Sequence, residues 1–161
     1  MTQAPPTMNP ELKLDIHIEA SSEKVWNALT DNIGEWWPSE FFIGGKEGER
    51  SYHLEAKPGG RMYESYKDGG GLVWGTVAHI VQGQKMQLTS YRFPTWGGPT
   101  VSFYEYKLTP TDSGCTLSFS EASVGNWSEK NNADMKHGWT FLFDGVLKAY
   151  CEGREKPSWE G

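Results

Sequence analysis

The feature that most limits what this chain can fold into is the one long helical pattern near its C-terminal end. Met135, Trp139, Leu142, Phe143, Val146 and Tyr150 recur at spacings of three and four, as one face of an α-helix does. Asn132 suits the cap and Gly153 the stop, so a helix over residues 133–152 would run about 30 Å at ~1.5 Å per residue. The chain from Ser51 to Ala122 reads instead as strands and tight turns. Lys57-Pro58-Gly59-Gly60, Lys67-Asp68-Gly69-Gly70-Gly71 and the stretch Pro110 to Gly114 carry turn chemistry, because glycine accepts the positive φ of hairpins. They imply strands near 51–56, 61–67, 72–81, 85–93, 100–109 and 115–122 in an antiparallel meander. A sheet of that size must cover its apolar face, and only the final helix is long enough to do so.

Ahead of the meander, Leu12, Leu14, Ile16 and Ile18 alternate with Lys13, Asp15, His17 and Glu19, the period of a half-buried strand. In Ala20-Ser21-Ser22-Glu23 a serine can cap a helix whose stripe is Val25, Trp26 and Leu29. A second short helix containing Ile33, Trp36 and Trp37 must end at Pro38. Residues 1–11, with Pro5, Pro6 and Pro10 and neither a basic nor an apolar block, read as a loose tail rather than a secretory signal. The domain is expected to span 12–153, with 154–161 as a C-terminal tail and Trp159 outside the core.

At 161 residues the chain can bury enough surface to fold without a metal or disulfide. No apolar run approaches the ~20 residues of a membrane span. The formal net charge is −6 with no Lys/Arg cluster, which argues against nucleic-acid and anionic-membrane partners. Two cysteines, Cys115 and Cys151, make no disulfide framework and suit a reducing cytoplasm. Aromatic residues make up 14% of the chain, eight of them Trp, and rings in that number need a thick core or a lined cavity.

Ala20 to Leu29 (ASSEKVWNAL), Trp36-Trp37, Pro58-Gly59-Gly60-Arg61-Met62, Asp68-Gly69 followed by Gly75-Thr76-Val77, Gly114-Cys115-Thr116-Leu117 and His137-Gly138-Trp139 occur in an order that resembles the START/Bet v 1-like (SRPBCC) superfamily. Within it they are similar to the branch related to the C-terminal domain of the activator of the heat-shock protein 90 ATPase. The resemblance implies an α+β helix-grip fold, a curved antiparallel sheet wrapped around a long C-terminal helix with an internal cavity. Its members range from lipid carriers and hormone receptors to aromatase/cyclases and chaperone activators, so it fixes fold better than function.

His17, His53, His79 and His137 are scattered, with no metal-ligand spacing, and no metal or other cofactor is expected. Gly69-Gly70-Gly71 lacks the lysine and helix of a phosphate cradle, and no Gly-x-Ser-x-Gly elbow exists. Two carboxylates stand out. Glu121 shares strand parity with Leu117 and Phe119, and Glu64 with Met62 and Tyr66. Each either lies at a wet sheet rim or faces an apolar interior, where it needs a partner such as Arg61 or Arg92, or a proton. Tyr104 and Tyr106 share parity with Ser102 and Leu108, leaving Phe103 and Glu105 outside. Trp37, Trp74, Trp96 and Trp139 either fill space or line it.

The reading these residues support is a non-enzymatic binding module, monomer or homodimer, holding a small hydrophobic or aromatic ligand against Trp37, Met62, Glu64, Trp74, Tyr104, Tyr106, Phe119, Glu121, Trp139 and Phe143. The first alternative is a cyclase- or hydratase-like enzyme using Glu121 or Glu64. The second, implied by the resemblance, is a module of the stress response that partners a chaperone ATPase.

Overall fold

The computed structural model describes residues 11–43 and 49–160. The alternating segment at the N-terminus forms β1, Glu11–Ile18, with Leu12, Ile16 and Ile18 buried on one side. The chain then leaves the sheet because Ser21 caps α1, Ser22–Leu29, accepting a hydrogen bond from the Lys24 amide at 3.2 Å. Val25, Trp26, Ala28 and Leu29 form its buried side. A single-turn helix, α2, Ile33–Trp36, ends just ahead of Pro38.

Six strands follow: β2 Arg50–Leu54, β3 Arg61–Tyr66, β4 Gly71–Val81, β5 Lys85–Arg92, β6 Thr100–Thr111 and β7 Gly114–Gly125. All pair antiparallel, and β1 returns to lie beside β7, giving the order β1-β7-β6-β5-β4-β3-β2. The strand ends differ from the sequence reading by at most three residues. The inward and outward sets hold: Ser102, Tyr104, Tyr106 and Leu108 are buried, while Phe103 is exposed.

The sheet curls into a half-barrel and its open side is filled by one continuous helical segment: α3, Glu129–Thr140, a run of wider turns over Phe141–Leu147, and α4, Lys148–Glu152. The helix begins earlier than Asn132. Ser128 is the cap, in a reciprocal box in which Asn131 N–H donates to Ser128 Oγ and Ser128 N–H to Asn131 Oδ1, both at 3.1 Å. It ends where expected, at Gly153, whose φ of +69° suits glycine.

The wide turns also shift the buried stripe. Trp139, Leu142, Phe143 and Val146 are buried as the 3.6-residue period requires, but Leu147, Ala149 and Cys151 join them, whereas Met135 and Tyr150 are only half-buried. The extra residue per turn rotates the face that meets the sheet. The core is aromatic where helix meets strand: Trp139 stacks on Phe143 at 5.3 Å, and both lie 4.9 Å from Phe119.

Trp159 lies outside the core cluster, as expected, but it is not a solvated tail residue. It is half-buried, 4.8 Å from both His137 and Phe141 and 5.0 Å from Phe41. Three rings from different segments bury more apolar surface together than a solvated tail could.

Candidate functional site

Between the helix and β4–β6 lies a cavity of about 450 Å³. Its sheet wall is built from Trp74 on β4, Ser90 and Arg92 on β5, and Ser102 and Tyr104 on β6. The helix contributes Met135, Gly138, Trp139 and Leu142, and Phe41, Trp96 and Trp159 close the sides. The rim residues Ile43, Tyr91 and Trp96 are exposed, so the cavity opens to solvent at one end.

Trp74 owes its place to an irregularity. Along the β3–β4 pair, Met62 faces Gly75 and Tyr63 faces Val73, so Trp74 is the extra residue of a bulge. Bulges re-aim side chains in this way. Its indole N–H donates to Glu64 Oε1 at 2.7 Å, where the Ile43 amide also donates at 2.8 Å, and the Tyr66 hydroxyl donates to Glu64 Oε2 at 2.7 Å.

The helix wall repeats the arrangement. Trp139 Nε1–H donates to Glu121 Oε2 at 2.7 Å, and Ser123 Oγ–H to Glu121 Oε1 at 3.4 Å. Both carboxylates are buried, Glu64 at 0% and Glu121 at 2% exposure, so neither lies at a wet rim. Among the described residues neither Arg61 nor Arg92 forms an ion pair with Glu64 or Glu121. Arg61 bonds Glu55 at 2.8 Å instead, and the Arg92 guanidinium sits 5.0 Å over the Trp127 ring. Burial pushes the Glu121 carboxyl above its ordinary value, with the Trp139 indole as the largest opposing influence. Burial likewise raises the phenols of Tyr52, Tyr104 and Tyr106, which stay protonated.

The ten residues singled out in the sequence therefore separate by depth. Trp74, Tyr104 and Trp139 line the cavity. Glu64 and Glu121 stand one layer back and hold two of those rings. Trp37, Met62, Tyr106, Phe119 and Phe143 are core residues off the lining. Trp37 stacks on Tyr52 at 3.9 Å and abuts Trp74 edge-on at 5.3 Å. Sequence reasoning missed Phe41, Ser90, Met135, Gly138 and Trp159 as wall residues. An aromatic in an otherwise polar tail was the available signal for Trp159, and the missing side chain of Gly138 beside Trp139 was another.

Among the described residues no group of three or more His, Cys, Asp or Glu side chains could hold a metal ion, and no helix is long and apolar enough to cross a membrane.

A seven-stranded antiparallel half-barrel closed on a C-terminal helix defines a helix-grip protein of the Bet v 1/SRPBCC type. The family model described as activator of Hsp90 ATPase homolog 1-like protein matches residues 19–152, and the chain belongs to that family. No curated protein matches. Among solved structures, an uncharacterized protein from Rhizobium leguminosarum is similar at a TM-score of 0.67 with 19% identity, covering 92% of this chain and 97% of its own. CalU16 from Micromonospora echinospora gives 0.62 with 17% identity over 95% and 88%. An AHSA1-like protein from Aeromonas hydrophila gives 0.59 with 17% identity over 94% and 100%. At these identities the likeness is one of fold.

Proposed function

We propose that this chain is a small-molecule binding protein that holds an apolar or aromatic ligand between sheet and helix. The observation that carries the reading is the cavity itself. Its volume of about 450 Å³ falls within the roughly 300–1,000 Å³ of ligand sites, and Trp74, Trp96, Tyr104, Trp139 and Trp159 supply flat apolar walls with polar edges. The geometry favours binding over acid–base catalysis by Glu64 or Glu121, because each carboxylate lies behind a tryptophan and is occupied in holding it. The family description favours a second reading, a module that stimulates a chaperone ATPase.

The test is titration with the neutral fluorophore N-phenyl-1-naphthylamine, read by its emission and by quenching of tryptophan. The expected result is saturable binding that Tyr104→Ala weakens, that Gly138→Met abolishes by filling the space, and that Lys13→Ala leaves alone. Absence of saturable binding to the parent, or binding unaltered by Gly138→Met, overturns the proposal. Stimulation of a purified heat-shock protein 90 ATPase by a chain that binds no probe would establish the second reading.

A further inference from the structure

The inner face of the sheet changes character from its closed end to the cavity mouth. Leu108 pairs with Leu117 deepest, Tyr106 with Phe119 in the next inward row, and Leu88 with Tyr104 in the one after. Then come three serines side by side on three strands, Ser90, Ser102 and Ser123. The outermost row holds Arg92 opposite Thr100. Ser102 and Ser123 already share a hydrogen bond at 2.7 Å, so the group that a purely apolar ligand would cover at a desolvation cost is the guanidinium.

Arg92 is half-buried on the cavity wall, yet among the described residues it makes no ion pair. Its Nη2 contacts the Met135 thioether at 3.6 Å and its face covers the Trp127 ring. The acidic side chains nearby are engaged elsewhere. Asp134, also on the wall, is bound at 2.6 Å by Lys130 one turn earlier in α3. Glu121 sits two rows deeper, bonded to Trp139, and feels the Arg92 charge only through space, without an ion pair. A guanidinium held in place by a ring, with its fork of donors open towards an aromatic cavity, is suited to an anionic oxygen pair.

We propose that the ligand class is an aromatic amphiphile bearing one anionic group: its ring system lies between Trp74, Tyr104 and Trp139, and its anion meets Arg92 at the mouth. This rests on the binding reading above and adds to it the charge of the ligand and the residue that selects for it.

A matched pair of probes tests it on the intact chain. 1-Anilinonaphthalene-8-sulfonate and N-phenyl-1-naphthylamine differ only by the sulfonate. The parent should bind the sulfonate more tightly at low salt. Arg92→Gln should weaken the sulfonate about tenfold or more, the scale of one lost charge-assisted contact, and should weaken the neutral probe far less. Arg92→Lys should recover part of the loss, because it restores charge without the fork. If the neutral probe saturates but Arg92→Gln changes both probes equally or neither, the anion assignment is wrong and the binding reading stands. If neither probe saturates, both are wrong. A melting temperature lowered in Arg92→Gln but not in Arg92→Lys moves the test to the lysine variant, for which equal affinity loss on both probes overturns the proposal.

Discussion

Two buried glutamates each take an indole N–H at 2.7 Å, and this pairing determines how the cavity responds to pH and mutation. Burial raises the Glu121 carboxyl above its ordinary value of 4.5, so the folded protein holds that proton more tightly than the unfolded chain. The favourable contribution is complete below pH 4.5 and is lost as pH rises through the folded value, at up to about 1.4 kcal/mol per pH unit for one proton. Glu121→Gln removes this proton, so its stability relative to the parent should improve as pH rises above 4.5. Urea denaturation of both proteins between pH 4 and 8 measures it, and parallel curves would refute it. Trp139→Phe keeps most of the packing but strands the carboxylate, at a cost of about 1–3 kcal/mol. Trp139→Ala also opens a void and should cost about 3–5 kcal/mol.

At the scale of elements, two helical glycines do opposite work. In α2, a Cβ on Gly34 would lie 2.7 Å from the Tyr52 carbonyl oxygen of β2, so the helix packs on that strand only because the side chain is missing. In α3, a Cβ on Gly138 would meet only the Phe41 ring, at an ordinary 3.5 Å. Gly34→Ala should therefore destabilise by roughly 1–3 kcal/mol despite alanine's better helix propensity, whereas Gly138→Ala should stabilise by up to about 1 kcal/mol. Chemical denaturation of the two variants separates them, and the same sign for both would contradict this packing. The wider turns of Phe141–Leu147 belong to this scale too, since they bring Leu147 under the sheet.

Across the whole molecule, Cys115 on β7 and Cys151 in α4 report whether the last turn of the helix is docked. Both thiols are free and buried, and burial pushes Cys151 up to about 12 and raises Cys115 as well. The thiolate is the reactive form. Ellman's reagent should thus label neither cysteine in the folded protein within the time that modifies both in denaturant. Rapid labelling of Cys151 alone would show that α4 undocks independently of the sheet.

The sequence by itself determined the order of strands and helices, the single long cover, and which faces of β6 and β7 turn inward. Those follow from local causes: a period of two, glycine turns and a change to helical spacing are written in neighbouring residues. It also assigned Glu64 and Glu121 the parity of inward apolar residues but left open whether they lie at a wet rim, which burial at 0% and 2% exposure decides. Tertiary structure decided which inward residues are wall and which are packing. Tyr104 and Tyr106 are both buried and share a face, yet only Tyr104 borders the cavity. The difference is the gap left between a curled sheet and a helix of fixed width, and no residue's own pattern records that gap. Trp74 enters the cavity because a bulge skips one partner on β3, and Trp159 joins the wall because Phe41 and Phe141 wait for it from distant parts of the chain. Burial favours apolar side chains alike in a packed core and on a cavity wall; only the packing of one element against another tells them apart.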